Sequence, residues 1–322
     1  MGHTMLVLTP EAEAFVREWR SASPTVTAHT SGSTGTPKEI ELLKSDMEAS
    51  ARATIDFFGL GSGSLLYLPL SPSYIAGKMQ IVRALTAGCG LVVEKPTSCP
   101  LGSVAGTERI SLLPIVPSQL GGLMESAAFP LVDNLIIGGA PLPAADERVL
   151  AATGIRAYAT YGMTETCSHV ALRRVGEECF NALPGFEFSL DRRGCLVIHS
   201  STLSFGTLIT NDIAELRSDV TFRWLGRYDN VINSGGVKIH PEEVERVLIP
   251  MLPPGVTAYV TSRQSLRWGE EAVVVTDSPL VGHELLQTLR PLLPLHHCPV
   301  DIIHLPEIPR TATSGKIKRQ KF

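Results

Sequence analysis

The sequence has no apolar run close to the roughly 20 residues that a membrane-spanning helix needs. Its first residues, 1–10, also lack the basic stretch and the apolar core of a signal peptide. Cysteine is sparse: the six cysteines form no C-x-x-C pair, so free thiols are expected and a zinc site is disfavoured. Together, these absences predict a cytoplasmic protein without membrane attachment.

An excess of positive charge is also lacking. Lysine and arginine total 28 against 32 aspartates and glutamates, which gives a formal charge of −4. A mildly acidic protein attracts neither nucleic acid nor an anionic membrane surface, so neither partner is expected. The histidines show no metal-ligand or triad spacing, and His169, His199, His296 and His297 are expected in the core or on the surface.

What remains is an ordinary globular composition, with 44% apolar and 19% charged residues. A chain of 322 residues can form one large or two ordinary domains with substantial cores. Short apolar strands alternate with helical segments, which is typical of an α/β sheet with helical crossovers. The expected strands are 65–68, 91–94, 110–113 and 135–137, and the expected helices are 74–87, 117–126 and 143–152.

The pattern changes after residue 160. Short strands separated by turns at 195–199, 207–209 and 221–224 predict a β-rich subdomain of the large N-terminal α/β domain. We expect a domain boundary near Tyr228, with domains 1–227 and 228–322. The second domain is expected to be a small α+β unit.

The most unusual stretch is His29–Lys38, which holds five hydroxyl side chains, two glycines and one lysine in ten residues. It is either a flexible loop or a cradle for an anion, in which glycines turn backbone N–H groups inward. It is not a Walker A loop, because Thr36 and Pro37 separate Gly35 from Lys38.

Seven collinear segments resemble the adenylate-forming superfamily of acyl-CoA synthetases, adenylation domains and luciferases. Each segment alone is weak, but their order along most of the chain is specific. They are SGSTGTPK at 31–38, GGAPL at 138–142, YGMTE at 161–165, TND at 210–212, GRYD at 226–229, GGVKI at 235–239 and SGK at 314–316.

The resemblance implies that ATP and Mg²⁺ are used to convert a carboxylate into an acyl-adenylate, with later transfer to the thiol of coenzyme A. Cationic and hydrogen-bonding groups must gather where the carboxylate meets the α-phosphate. By resemblance, Lys316 bridges these groups, Thr164 bonds a phosphate and Glu165 binds Mg²⁺. The other nucleotide-binding residues implied are Thr30, Ser31, Ser33, Thr34, Lys38, Gly138, Gly139, Ala140, Pro141, Tyr161, Gly162, Asp212 and Arg227.

Each of these residues, considered without the resemblance, could also have a purely structural role. Asp212 could be a turn carboxylate, Glu165 a surface residue, and Tyr161 a core aromatic instead of a face for the purine. Lys316 could be a solvated charge on a basic tail.

In the resembled family, the C-terminal domain is mobile and presents two faces in turn. Lys316 would serve adenylation, and Gly235, Gly236 and Lys238 would face the site during thiol transfer. The pivot implied by the resemblance is Asp229, which is therefore expected to be a hinge.

The short region before the phosphate loop, together with residues 68–79 and 81–88, resembles the short o-succinylbenzoate–CoA ligases of menaquinone biosynthesis. This substrate has two carboxylates, and the one that is not activated requires neutralisation. Lys78 is the expected cation, or else a solvated helix residue. Ser73, Tyr74 and Thr160 are expected beside it.

Other possibilities remain open: another aryl- or acyl-CoA ligase, a stand-alone adenylation enzyme, or a non-catalytic nucleotide-binding regulator. Loading of a carrier protein lacks support, since no aspartate lies between Asp56 and Asp133 to bind an amino group. A regulator would not need Glu165, Asp212 and Lys316 together. A homodimer is also left open.

Overall fold

A computed structural model describes residues 6–29, 39–102, 104, 108–310 and 317–322. The fold is α/β, as predicted. Helices are α1 (Pro10–Arg20), α2 (Lys44–Phe58), α3 (Ile75–Ala87), α4 (Leu120–Glu125), α5 (Ala144–Ala152), α6 (Pro241–Leu248) and α7 (His283–Leu289). No helix among the described residues is long and apolar enough to cross a membrane.

The strands up to Gly162 are β1 (Leu6–Val7), β2 (Thr25–His29), β3 (Glu39–Leu43), β4 (Leu65–Leu68), β5 (Gly90–Val93), β6 (Leu113–Ile115), β7 (Asn134–Ile137) and β8 (Arg156–Gly162). Strands β1, β5 and β4 form a parallel three-stranded sheet. Strands β2 and β3 form an antiparallel pair that places His29 opposite Glu39.

The later strands are β9 (His169–Arg174), β10 (Phe180–Ala182), β11 (Phe186–Leu190), β12 (Cys195–Ser200), β13 (Thr207–Ser218), β14 (Thr221–Arg227), β15 (Ile232–Ser234), β16 (Val237–Ile239), β17 (Ala258–Ser265), β18 (Gly269–Thr276) and β19 (Asp301–His304). A nine-stranded sheet has the order β11-β12-β13-β14-β10-β9-β8-β7-β6. Strands β6, β7 and β8 are parallel, and every other pairing in this sheet is antiparallel.

This mixed sheet explains where the site lies. Strand β7 is buried throughout and consists of apolar residues after Asn134, as expected for a parallel strand covered on both faces. Parallel β7 and β8 end at Ile137 and Gly162 on the same edge of the sheet. Ligands usually bind at the carboxyl ends of such strands.

Helix α3 packs against strands β4 and β5 and helices α1 and α2, and much of its surface is buried. All residues from Gly77 to Ala84 are buried, although Lys78, Gln80 and Arg83 are polar. A β-carbon on Gly77 would lie 2.2 Å from Ser71 O, so only glycine allows this close approach. Gly88 ends the helix in the left-handed conformation that is typical of a C-terminal cap.

The chain passes to another sheet after Arg227. Strands β15, β16, β17 and β18 belong to this sheet, and β19 joins it parallel to β18. Arg223 and Glu243 form an ion pair of 3.0 Å between the two regions. The domain division at residues 227 and 228 stays a prediction, which the change of sheet supports.

Candidate active site

Asp212 is a buried carboxylate with three hydrogen-bond donors. The Tyr161 hydroxyl donates to Oδ2 at 2.9 Å, and Trp224 Nε1 and Arg227 Nη1 donate to Oδ1 at 3.2 and 3.4 Å. Asp212 and Arg227 lie directly opposite each other on β13 and β14. Buried charges are tolerated when they are paired in this way, so the carboxylate is held in a fixed orientation.

Tyr161 brings β8 into the same cluster. Its ring is 9% exposed and contacts Phe222 and Phe180 at centroid distances of 5.0 and 5.8 Å. Burial, reinforced by the neighbouring Asp212 carboxylate, raises the pKa of Tyr161 well above its ordinary value, so the hydroxyl remains a donor. The structure therefore shows Tyr161 orienting Asp212, and its contact with a purine stays a prediction.

The turn after β8 is tightly constrained. A β-carbon on Gly162 would lie 2.2 Å from Ser168 O, which is backbone and cannot move aside cheaply. Thr164–Thr166 form one turn of 3-10 helix, in which Thr164 is buried and Glu165 is exposed. Cys167 follows with φ of 61°, an uncommon conformation for a residue other than glycine.

Glu165 is the residue of this turn that could hold Mg²⁺. Among the described residues, no group of three or more histidine, cysteine, aspartate or glutamate side chains could form a metal site. Mg²⁺ in nucleotide enzymes commonly takes one or two carboxylates and completes its coordination with substrate phosphates and water. An exposed single carboxylate beside Thr164 fits that mode of binding.

Residues 138–141, which the resemblance assigns to nucleotide binding, contact strand β8 at Thr160. A β-carbon on Gly138 would lie 2.5 Å from Thr160 Oγ1, and that hydroxyl donates to Ile137 O at 3.2 Å. Gly139 has φ of 84°, a conformation that favours glycine. Ala140 and Pro141 are exposed. The 138–141 turn therefore meets Thr160 at the sheet edge where ligands were expected.

Two of the residues predicted to bind the acid, Ser73 and Lys78, contact helix α1. Ser73 Oγ donates to Glu11, and Tyr74 is 41% exposed. Lys78 Nζ lies 3.5 Å from Glu18 Oε2 and 4.4 Å from the centroid of the Phe15 ring. Lys78 is thus buried and paired, which differs from both a solvated lysine and a free cation.

Sequence reasoning did not identify Arg83, the other cation of α3. Its side chain is fully buried, and among the described residues no carboxylate forms an ion pair with it. Arg83 Nη2 donates to Ser168 Oγ at 2.5 Å, which places the guanidinium beside the turn after β8. Burial lowers the pKa of Arg83 to about 9, so the group is still charged at neutral pH.

A signal for Arg83 was present in the sequence. Gln80 and Arg83 are polar residues spaced i, i+3 within an otherwise apolar stretch of helix, so they share a face. Polar residues on a buried face require partners, and that requirement points to a site.

Comparison with known proteins establishes the family. Residues 8–188, more than half of the chain, match the family model described as AMP-binding enzyme. The chain belongs to this family. The predicted membership of the adenylate-forming superfamily is thereby confirmed.

Solved structures of related AMP-binding enzymes share the fold. An acyl-CoA synthetase (AMP-forming)/AMP-acid ligase II-like protein from Dyadobacter fermentans is 31% identical, with a TM-score of 0.65 over 95% of this chain and 91% of its own. The o-succinylbenzoate CoA synthetase from Bacillus subtilis, in complex with an acyl-adenylate intermediate, has a TM-score of 0.78 at 22% identity. The alignment covers 91% of this chain and 67% of the Bacillus subtilis protein, and at this identity the similarity shows the fold alone.

Two of the curated relatives are CoA ligases. Indoleacetate–CoA ligase from Aromatoleum aromaticum is 27% identical, with 92% of this chain and 66% of the relative aligned. 2-Succinylbenzoate–CoA ligase from Bacillus mycoides is 25% identical, with 97% and 72% aligned. The chain therefore spans about two thirds to three quarters of these relatives, and they agree with the predicted acid–thiol ligase class.

Several predicted residues of this AMP-binding enzyme lie outside the described residues. These are the catalytic candidate Lys316 and the phosphate-loop residues Thr30, Ser31, Ser33, Thr34 and Lys38. Their roles stay predictions.

The predicted hinge and CoA-side residues are accessible. Asp229 is exposed in the turn Tyr228–Asn230, where it lies 3.6 Å from Arg227. Gly235 and Gly236 are exposed, and Gly235 N donates to Trp268 O at 2.8 Å. Lys238 is exposed on β16. Arg227 thus contacts both the hinge candidate and the Asp212 cluster.

Proposed function

We propose that the protein is an ATP-dependent acid–CoA ligase that activates o-succinylbenzoate, an aromatic dicarboxylic acid. The succinyl carboxylate attacks the α-phosphorus of ATP, so that an acyl-adenylate forms and pyrophosphate leaves. The CoA thiolate then attacks the acyl carbon and AMP leaves. In this proposal the protein acts in the cytoplasm, in menaquinone biosynthesis, where ATP and CoA are available.

The proposed roles follow the geometry of the Asp212 cluster. Asp212 would accept hydrogen bonds from the ribose hydroxyls, because Tyr161 and Trp224 hold its two oxygens in place. Thr164 would bond a phosphate, and Glu165 would hold the Mg²⁺ that offsets phosphate charge. Lys316 would neutralise charge where the carboxylate meets the α-phosphate. These donors would stabilise charge that develops in the transition state.

We choose a dicarboxylic acid because Arg83 is buried and has no carboxylate partner among the described residues. A buried guanidinium without an anionic partner costs free energy, and a second carboxylate from the substrate would offset that cost. Its contact with Ser168 places it next to the turn with the predicted phosphate and Mg²⁺ residues. A monocarboxylic aromatic acid is the second candidate, because indoleacetate–CoA ligase is a relative.

Carboxylate-dependent exchange of labelled pyrophosphate into ATP tests the proposal. With o-succinylbenzoate and indoleacetate as substrates, we expect exchange to depend on the acid and to favour the dicarboxylic one. A non-catalytic nucleotide binder would show no acid-dependent exchange. Preference for indoleacetate would favour the second candidate.

The first variant prediction concerns the cation. Hydrogen bonds to charged groups contribute about 1.5–3 kcal/mol, so Arg83→Gln should raise the KM for o-succinylbenzoate by about ten- to 100-fold. The KM for ATP should change by less than about twofold, since Arg83 would not contact the nucleotide. Steady-state kinetics of AMP release measure both constants.

Lys78→Ala is the matched comparison, because Lys78 is the cation expected from the sequence. The ion pair with Glu18 leads us to expect a smaller effect on the acid KM than that of Arg83→Gln. A larger effect of Lys78→Ala would assign the second carboxylate to Lys78. No change in either variant would remove both residues from the acid site.

A further inference from the structure

A continuous network of hydrogen-bonded polar side chains, buried except for the partly buried Ser168, connects Arg83 to helix α2. Ser168 Oγ, which accepts from Arg83, lies 3.3 Å from His169 Nδ1. His169 Nε2 lies 3.1 Å from Thr54 Oγ1, and the Thr54 hydroxyl donates to Ser50 O at 3.3 Å. This series of hydrogen bonds therefore runs from the proposed acid site through the turn after β8 to α2.

Only one direction of donation satisfies every member of this network. The Thr54 hydroxyl gives its single proton to Ser50 O, so it must accept from a protonated Nε2 of His169. Nδ1 is then a free acceptor and takes the Ser168 proton, which leaves the Ser168 lone pairs for Arg83. Burial, and then the charge of Arg83, hold the pKa of His169 well below its ordinary value, so the neutral ring persists.

A second anchor fixes the other side of the guanidinium. Gln80 Nε2 donates to Tyr67 O and Leu112 O at 3.3 and 3.1 Å, which turns Gln80 Oε1 toward Arg83 Nη1 at 3.3 Å. Arg83 Nε is buried and has no hydrogen-bond partner among the described residues. Nη1 and Nη2 are thus held in place, whereas the buried Nε has no hydrogen bond among the described residues to compensate for its lost solvation.

The backbone also holds Ser168 in position. The positive φ of Cys167 turns the chain so that Ser168 N donates to Thr166 O at 2.6 Å. The Thr166 hydroxyl lies 2.7 Å from Ser168 O. Uncommon backbone conformations persist where the surrounding structure enforces them, and they concentrate at functional sites.

We propose that Ser168 and His169 are positioning residues that aim Arg83 at the substrate's second carboxylate and so determine selectivity for dicarboxylic acids. This inference rests on the proposed function. His169 keeps the Ser168 hydroxyl directed away from Arg83, so that an oxygen lone pair, and not a proton, faces the guanidinium. Without this arrangement Arg83 would keep its charge but lose its fixed orientation.

The test compares two acids that differ by one carboxylate: o-succinylbenzoate and 4-oxo-4-phenylbutanoate, which lacks the ring carboxylate. For Ser168→Ala we expect the ratio of kcat/KM values, dicarboxylic over monocarboxylic, to fall by about tenfold, because orientation of a charged hydrogen bond is lost. Ser168→Thr should keep the ratio within about threefold, since the hydroxyl remains. Ser111→Ala is the control, because Ser111 Oγ bonds Leu65 N and lies outside the network.

His169 provides an independent variant. His169→Gln retains a donor and an acceptor, so it should preserve more of the selectivity than His169→Leu. Equal loss of kcat/KM for both acids in Ser168→Ala and His169→Leu would indicate a structural role and overturn the proposal, as would an unchanged ratio. Wild-type enzyme that activates neither acid would instead contradict the proposed function, so the two failures are distinguishable.

Discussion

At the scale of single residues, the two buried charged groups of the site, Asp212 and Arg83, differ in their partners. The Asp212 carboxylate accepts hydrogen bonds from three donors. Among the described residues, the hydrogen-bond partners of Arg83 are all neutral. The collinear motifs led to Asp212 and Arg227, because the resemblance assigns both to nucleotide binding. Arg83 lies outside those motifs. Its proposed role rests on the burial of its side chain, which is seen only in the structure.

His169 should make the stability of the protein depend on pH. An unfolded histidine binds a proton near pH 6.5, whereas burial lowers the pKa of His169 in the folded state. The unfolded state therefore binds more protons below that pH, and stability falls as the pH decreases. The slope from this group is at most about 1.4 kcal/mol per pH unit.

Denaturant unfolding of wild-type protein and His169→Gln at pH 7 and pH 5.5 measures this contribution. We expect the variant to lose less stability between the two values than the wild type. Equal losses would show that the pKa of His169 is not lowered in the folded protein, contrary to the effect expected from its burial.

At the scale of elements, most strands and helices before the site agree with the sequence, but the strand expected at 110–113 lies at Leu113–Ile115. The sequence predicts helix α3 over 74–87, and the helix spans Ile75–Ala87. It ends there because Gly88 adopts the left-handed conformation of a C-terminal cap, which glycine favours. The tertiary contacts of α3 were less predictable. The ion pair of Lys78 with Glu18 joins α3 to α1, and no local pattern encodes a contact between residues so far apart.

The turn after β8 gives a prediction at this scale. Gly162→Ala should push Ser168 away, because its β-carbon would lie 2.2 Å from a backbone oxygen. We expect a loss of stability of about 1–3 kcal/mol and a clear loss of adenylation. Thermal unfolding and pyrophosphate exchange measure the two effects.

Gly121→Ala is the matched control for Gly162→Ala. Gly121 lies in α4 with open space around its β-carbon position, so alanine should be neutral or stabilise the helix by up to about 1 kcal/mol. If both variants behave alike, the close approach at Gly162 is not important.

At the scale of the whole molecule, the two sheets suggest two units joined near Arg227. The sequence predicts this boundary near Tyr228 from the pattern of elements along the chain, and the roles that the resemblance assigns to the C-terminal part require it to present two faces. Asp229 is exposed and forms an ion pair with Arg227, so a change of backbone there would disturb little packing. The domain motion itself was expected only from the resemblance.

Asp229→Pro tests the hinge. Proline restricts the backbone at this position, so the chain should still release pyrophosphate but fail to form the thioester. Separate assays of pyrophosphate release and acyl-CoA formation measure the two half-reactions. Equal loss of both would show that Asp229 is not a hinge.

The most direct test of the account is the product balance of the complete reaction. Wild-type protein is incubated with o-succinylbenzoate, ATP and CoA, and the products are quantified by mass spectrometry. The account predicts o-succinylbenzoyl-CoA and AMP in equal amounts, both dependent on the acid. Formation of ADP instead of AMP, or AMP release that does not depend on the acid, would contradict it.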